Sequence, residues 1–120
     1  NCHDTLEALW MEATEPQKKF YQGILQIAVS CYHLSNQNWR GAVILLGEGT
    51  RKLIEYQPTY EEIDVSNLVE QSSQLLNNLQ QIEPEKIGEF VQQIEWATID
   101  ENNDRNFKYQ LPKISKIDDF

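Results

Sequence analysis

Basic side chains are scarce in this 120-residue sequence, which has 10 Lys and Arg against 19 Asp and Glu and a formal net charge of −9. Proteins that neutralise nucleic-acid phosphates need clustered basic residues, and the only adjacent pairs here are Lys18-Lys19 and Arg51-Lys52. An anionic membrane surface is disfavoured for the same reason. We therefore expect neither nucleic acid nor a membrane as a partner.

Several motifs are also missing. No segment approaches the ~20 apolar residues of a membrane span, and no charged-then-apolar leader is present. The two cysteines, Cys2 and Cys31, lack metal-ligand spacing such as C-x-x-C, so we expect free thiols. Glycine-rich phosphate loops, nucleophile elbows and Cys/His dyads are not found. These absences favour a cytoplasmic protein, and the sequence assigns it no cofactor.

Helical periodicity dominates what is present. The first segment, up to about residue 14, repeats apolar residues at i, i+4, i+7, i+8 and i+11, namely Cys2, Leu6, Leu9, Trp10 and Ala13. Because the chain opens at Asn1 inside this pattern, we expect its natural start to lie upstream. The second predicted helix begins at Pro16 and is apolar around most of its circumference, so we expect it to be the central, least exposed element.

Three further helices are predicted. The third begins near Trp39 and stops before Pro58, and its Gly49 allows close approach of a neighbour. The fourth is capped by Asp64 or Ser66, and a short fifth helix begins at Pro84. The expected fold is all-α, a single small bundle of four to five helices without a sheet. It comprises a helical domain over residues 1–97 and an extended tail over residues 98–120.

One polar constellation borders the apolar stripes. At about 100° per residue, His3 and Glu7 lie together beside Trp10 at the edge of the first helix. The second helix carries one narrow polar stripe that contains Gln22, Gln26 and His33. If the two helices form an antiparallel hairpin, His3 pairs with His33 and Glu7 with Gln26.

Two interpretations of this cluster remain open. His3, Glu7 and His33 can supply two imidazoles and a carboxylate to a divalent metal, whose bound water would be the nucleophile of a hydrolase. Alternatively, Glu7 and Gln26 satisfy the histidines in a buried hydrogen-bond network that fixes the helix register. We favour the structural interpretation, because the E-x-x-H repeats of di-iron bundles are missing.

The stretches "CHDTLEALWMEA", "FYQGILQIAVSCYHL" and "NWRGAVILLGEG" resemble the helical family known as domain of unknown function 309. The resemblance covers residues 1 to about 56. The matching residues are His3, Glu7, Trp10, Gln22, Gly23, Gln26, His33, Asn38, Arg40, Gly41 and Ala42. The family usually has glutamate where this chain has Asp4. The resemblance implies a small all-α bundle and no established activity.

Two functions from different classes follow. The first is a helical scaffold or interaction module whose partner, another protein or a second copy, binds the third to fifth predicted helices and the tail. The second is an enzyme, metal-dependent or metal-free, that acts on a small molecule at the site formed by His3, Glu7 and His33. The first is the preferred hypothesis.

Overall fold

The computed structural model describes residues 14–96 and 107–117, and its regular structure is predominantly helical. The first predicted helix lies outside these residues apart from Thr14. The described helices are α1 (Glu15–Ser35), α2 (Trp39–Leu53), α3 (Val65–Gln81) and the short α4 (Ile87–Gln92), with 3₁₀ turns at Ile54–Tyr56 and Pro84–Lys86. The predicted helical class is confirmed.

The expectation that no sheet would form is wrong in detail. Strands β1 (Thr59–Tyr60) and β2 (Ile63–Asp64) pair antiparallel, and β3 (Ile94–Glu95) and β4 (Tyr109–Gln110) pair parallel. Each strand is only two residues long, too short to produce the period-2 pattern by which strands are recognised in a sequence.

Local capping chemistry sets the helix boundaries. The side chain of Asn38 accepts a hydrogen bond from the backbone N–H of Gly41 at 3.0 Å and caps α2. Asp64 caps α3 by accepting from the backbone N–H of Asn67 at 2.9 Å, as predicted. These caps satisfy N–H groups that the first turn of a helix otherwise leaves without partners.

The apolar core lies between one face of α1 and the inner faces of the following elements. Its fully buried side chains include Phe20 and Leu34 from α1, Leu46 and Leu53 from α2, and Leu75, Leu79 and Ile94 farther along the chain. Trp39 packs against this core, and its indole N–H donates to the carbonyl of Leu79 at 2.8 Å.

The burial predicted for the second helix is only partly correct. Ala28 and Tyr32 of α1 are exposed, and the Tyr32 side chain is 64% exposed. The apolar residues of α1 divide into two faces, and the face that contains Phe20, Ile24 and Ile27 enters the core. One side of α1 is therefore exposed, so the helix is not buried around its whole circumference.

Helices α1 and α2 approach closely where two glycines meet. A Cβ atom on Gly49 would lie 2.7 Å from the carbonyl oxygen of Gly23, too close for any side chain. The close approach predicted at Gly49 is confirmed. The contact fixes the register of α1 on α2.

Residues 107–117 run without a helix along α3 to the β1–β2 hairpin. The ring of Tyr109 stacks on Phe90 with centroids 4.2 Å apart. Farther along, the backbone N–H of Lys113 donates to Oε1 of Gln71 at 2.8 Å, and the carbonyl of Ser115 accepts from the N–H of Asp64 at 2.7 Å. Among the described helices, none is long and apolar enough to cross a membrane.

Candidate functional site

Two members of the predicted polar cluster, Gln26 and His33, are described. Both lie on α1 and are half-buried. They are about 10 Å apart along the helix axis, which is nearly two turns. His3, Glu7 and Trp10 lie outside the described residues, so the pairings predicted for them stay predictions.

The side-chain amide of Gln26 is held by two charged residues of α2. Its Nε2 donates to Oε2 of Glu48 at 3.1 Å, and its Oε1 accepts from Nζ of Lys52 at 2.9 Å. Glu48 and Lys52 are four residues apart on one helix face, so they can hydrogen-bond to the nitrogen and the oxygen of the same amide. This bridge ties the middle of α1 to the second half of α2.

The imidazole of His33 meets the start of α2 through Asn38. Nδ1 of His33 and Nδ2 of Asn38 are 3.2 Å apart. The same amide uses its Oδ1 to accept from the backbone N–H of Gly41, so its NH₂ group must face the ring. Nδ1 of His33 is therefore the acceptor, and in the neutral ring the proton resides on Nε2.

A glycine makes room for this arrangement. A Cβ atom on Gly41 would lie 3.0 Å from Cγ and Cδ2 of the His33 ring and 2.7 Å from Nδ2 of Asn38. The backbone N–H of Asn38 also donates to the carbonyl of His33 at 2.8 Å. The turn between α1 and α2 thus fixes both the position and the tautomer of the imidazole.

Gln26 and His33 were predicted from the sequence, but Glu48 and Lys52, the partners of Gln26, were not. The available signal was an acidic and a basic residue at i, i+4 spacing on α2, a pattern that is also common on solvated faces. Asn38 and Gly41 appeared only as matches to the family pattern. The spacing of residues along one helix does not determine which face of another helix packs against it, because that depends on the tertiary structure.

Metal-ligating side chains are not gathered within residues 14–96 and 107–117, where no group of three His, Cys, Asp or Glu residues is placed to hold an ion. Cys31 is a free thiol in the described structure. Burial raises the pKa of this thiol, which disfavours the reactive thiolate. Its surroundings suit a structural cysteine better than a nucleophile.

The family resemblance coincides with the segment that holds this site. Residues 1–45 match the model of the family Domain of unknown function (DUF309). The predicted resemblance is confirmed over those residues. The matched segment includes α1, the turn that carries Asn38, and Gly41.

A curated relative also has no described role. The uncharacterized protein YpuF of Bacillus subtilis (strain 168) is 31% identical to this chain over 67 residues. The matched region is 55% of this chain and 38% of the relative, so the chain spans well under half of that protein. No solved structure matches the chain. Neither the family description nor the relative's name states an activity, a substrate or a partner.

Proposed function

We propose that the chain is a small helical interaction module in which His3, Glu7, Gln26 and His33, with Trp10 beside them, form a structural cluster. The observation that carries this proposal is the contact of His33 with the amide of Asn38, from which the tautomer of the ring is inferred. Its Nδ1 accepts from Asn38, and its Nε2 carries the proton. A neutral imidazole binds a metal through the lone pair of its unprotonated nitrogen. In His33 that nitrogen is Nδ1, and its lone pair already accepts the bond from Asn38.

The second apolar face of α1 supports a hairpin with the preceding segment. This face consists of Tyr21, Leu25, Ala28, Val29 and Tyr32, and four of them follow i, i+4, i+7, i+11 spacing. The apolar stripe of residues 2–13 has the same spacing and directly precedes Thr14. As a helix it would be about 18 Å long, matching the roughly 16 Å from Tyr21 to Tyr32.

Docked in this way, the segment would bring its polar edge to Gln26 and His33. An amide nitrogen carries two N–H groups, and one of those on Gln26 donates to Glu48. The other suits the carboxylate of Glu7, and the Nε2–H of His33 suits a ring nitrogen of His3. Every polar group then has a partner without a metal ion, which is what burial requires.

The partner would be a protein or a second copy of the chain, and it would bind α2 to α4 and the tail. Nucleic acid is disfavoured by the net charge of −9. The unpaired cysteine Cys31 suits a reducing compartment, so we place the protein in the cytoplasm.

Substitution of Glu7 tests the structural role of the cluster. Glu7→Ala leaves its buried partners unsatisfied and is expected to lower the free energy of unfolding by about 1–3 kcal/mol. Thermal and denaturant unfolding of the full chain would be measured with a chelator, with zinc and with manganese. We expect the same loss under all three conditions.

Glu12→Ala is the matched control, because it removes a carboxylate from the opposite edge of the same predicted stripe. It is expected to change stability by less than about 0.5 kcal/mol. A large stabilisation by metal that occurs in the wild type and disappears in Glu7→Ala would refute the proposal. That outcome would make the cluster the centre of a metal-dependent hydrolase.

A further inference from the structure

A cleft of about 250 Å³ lies between α3 and residues 107–111. One wall consists of Gln71, Gln74 and Asn78, which follow i, i+3, i+7 spacing and share one face of α3. Leu75 lies between these amides and contributes to the buried core. The cleft is far from Gln26 and His33 in the chain and shares no residue with them.

The composition of α3 sets this wall apart from the rest of the chain. Charged residues make up 24% of the sequence, but Glu70 is the single charged residue among the 17 of α3. Asn, Gln and Ser occupy most positions that the core does not use. The helix thus presents neutral groups that can both donate and accept hydrogen bonds.

The opposite wall is bordered by backbone. All five consecutive residues 107–111 line the cleft. Successive side chains of a strand point to opposite sides, so a cleft that touches both residues of β4 and the following Leu111 also meets peptide groups. Strand β4 pairs with β3 along one edge, and a two-stranded sheet leaves each strand a second edge.

One amide of the cleft already binds a peptide group. Oε1 of Gln71 accepts from the backbone N–H of Lys113 at 2.8 Å. Gln74 lies three residues farther along the helix and Asn78 four beyond that, on the same face. They are therefore placed to bind further peptide groups of a chain that runs beside the tail.

We propose that this cleft binds the main chain of an extended peptide segment of a partner protein, between the amides of α3 and the edge of β4. The proposal rests on the interaction module proposed above and names its binding site. Main-chain hydrogen bonds supply the affinity in such recognition, so binding would tolerate many peptide sequences and be weak for a short one.

Other ligand classes fit the cleft less well. Of the two aromatic rings described at the cleft, that of Tyr109 already stacks on Phe90 and has Nζ of Lys108 5.6 Å from its centroid, which leaves Phe107 alone to stack on a saccharide. Lys108 is the single charged residue among the described lining residues, and an anion needs more positive charge than this one side chain supplies.

A defined peptide probe tests the proposal by NMR on the ¹⁵N-labelled full chain. The probe is an acetylated and amidated hexapeptide of alternating threonine and valine. Its matched analogue is N-methylated at alternate residues and so lacks half of the main-chain donors. We expect shifts of the Gln74 and Asn78 side-chain amides and of the backbone of residues 107–111 with the probe, and much smaller shifts with the analogue.

Paired variants locate the binding. Gln74→Met combined with Asn78→Leu keeps side-chain volume but removes both amides, and should weaken binding about tenfold or more. Gln80→Met combined with Asn77→Leu makes the same changes at exposed positions of α3 outside the cleft and should leave the affinity unchanged. The backbone amide spectrum of each variant verifies its fold.

Two results would overturn the cleft proposal: no response of its residues to the hexapeptide, or equal binding of the N-methylated analogue. A response confined to Gln26 and His33 would also overturn it and would place binding at the polar cluster. None of these outcomes depends on the metal and stability measurements with Glu7→Ala, so the two proposals fail separately.

Discussion

At the scale of single residues, the imidazole of His33 is oriented by Asn38, whose amide is itself fixed because it caps α2. Asn38 caps α2 with its oxygen, so only its nitrogen can meet Nδ1 of the ring. A capping residue thereby determines which ring nitrogen carries the proton. This coupling links a feature of secondary structure to the chemistry of the candidate site.

Replacing the amide of Asn38 by a carboxylate should reverse the tautomer of His33. Asn38→Asp still accepts from Gly41, but its second oxygen can only accept, so Nδ1 becomes protonated. Long-range ¹H–¹⁵N spectra of the imidazole should show a proton on Nε2 in the wild type and on Nδ1 in the variant.

Asn36→Asp is the matched control for this measurement, because it changes the charge by the same amount in the same turn. Asn36 is exposed, and its side chain donates to the carbonyl of Tyr32 at 3.4 Å. Its substitution should leave the wild-type pattern of His33 intact. A proton on Nδ1 in the wild-type protein would contradict the tautomer assigned from the structure.

At the scale of secondary structure elements, the crossing of α1 and α2 depends on backbone contact rather than on interlocking side chains. The Gly23 carbonyl occupies the space where a Cβ of Gly49 would lie, and backbone cannot move aside as the end of a flexible side chain can. The bonds from Gln26 to Glu48 and Lys52 cross the same interface.

Two glycines of α2 should therefore respond oppositely to alanine. Gly49→Ala forces the helices apart and should cost about 1–3 kcal/mol, the usual penalty for overpacking. Gly47→Ala places a Cβ 3.8 Å from Leu76, an ordinary contact, and should stabilise by up to about 1 kcal/mol through helix propensity. Denaturant unfolding of both variants measures the difference, and similar effects at the two positions would contradict the predicted backbone clash.

The properties that could be predicted from the sequence are those that are local to one element. Asp64 as a cap and Gly49 as a contact point follow from chemistry that a few neighbouring residues contain. Two properties were missed because they depend on how the helices are placed in space: the exposed face of Tyr32 and the partners of Gln26. The strands were missed because two residues are too few to produce a sequence pattern. Within the described residues of the candidate site, Gln26 and His33 were predicted from spacing and Asn38 and Gly41 from the family pattern, whereas Glu48 and Lys52 were found from the structure alone.

At the scale of the whole molecule, residues 107–117 connect parts of the fold that are distant in sequence. They pair with β3, contact α3 through Gln71 and reach the β1–β2 hairpin through Ser115. Tyr109 and Leu111 pack against the core, whereas Ile114 is 55% exposed. Residues 107–117 therefore contribute to stability mainly through residues 107–111.

Alanine substitution should reveal this asymmetry. Tyr109→Ala removes the ring stacked on Phe90 and should lower the free energy of unfolding by about 1–3 kcal/mol. Ile114→Ala, in the same segment, should change it by less than about 0.5 kcal/mol. Thermal melting of the two variants distinguishes them, and an unchanged melting temperature for Tyr109→Ala would contradict the predicted asymmetry.

The route of the tail also has a consequence for the order of folding. Helices α1 and α2 are joined by a turn of three residues, so their contacts close a short loop and can form as soon as both helices have been synthesised. The bond between Gln71 and Lys113 spans 42 residues and must wait for a segment that follows all four described helices. A nascent chain would therefore hold the α1–α2 pair assembled while the amide face of α3 is still uncovered, and its exposed glutamine and asparagine side chains would keep that face hydrated until the tail docks.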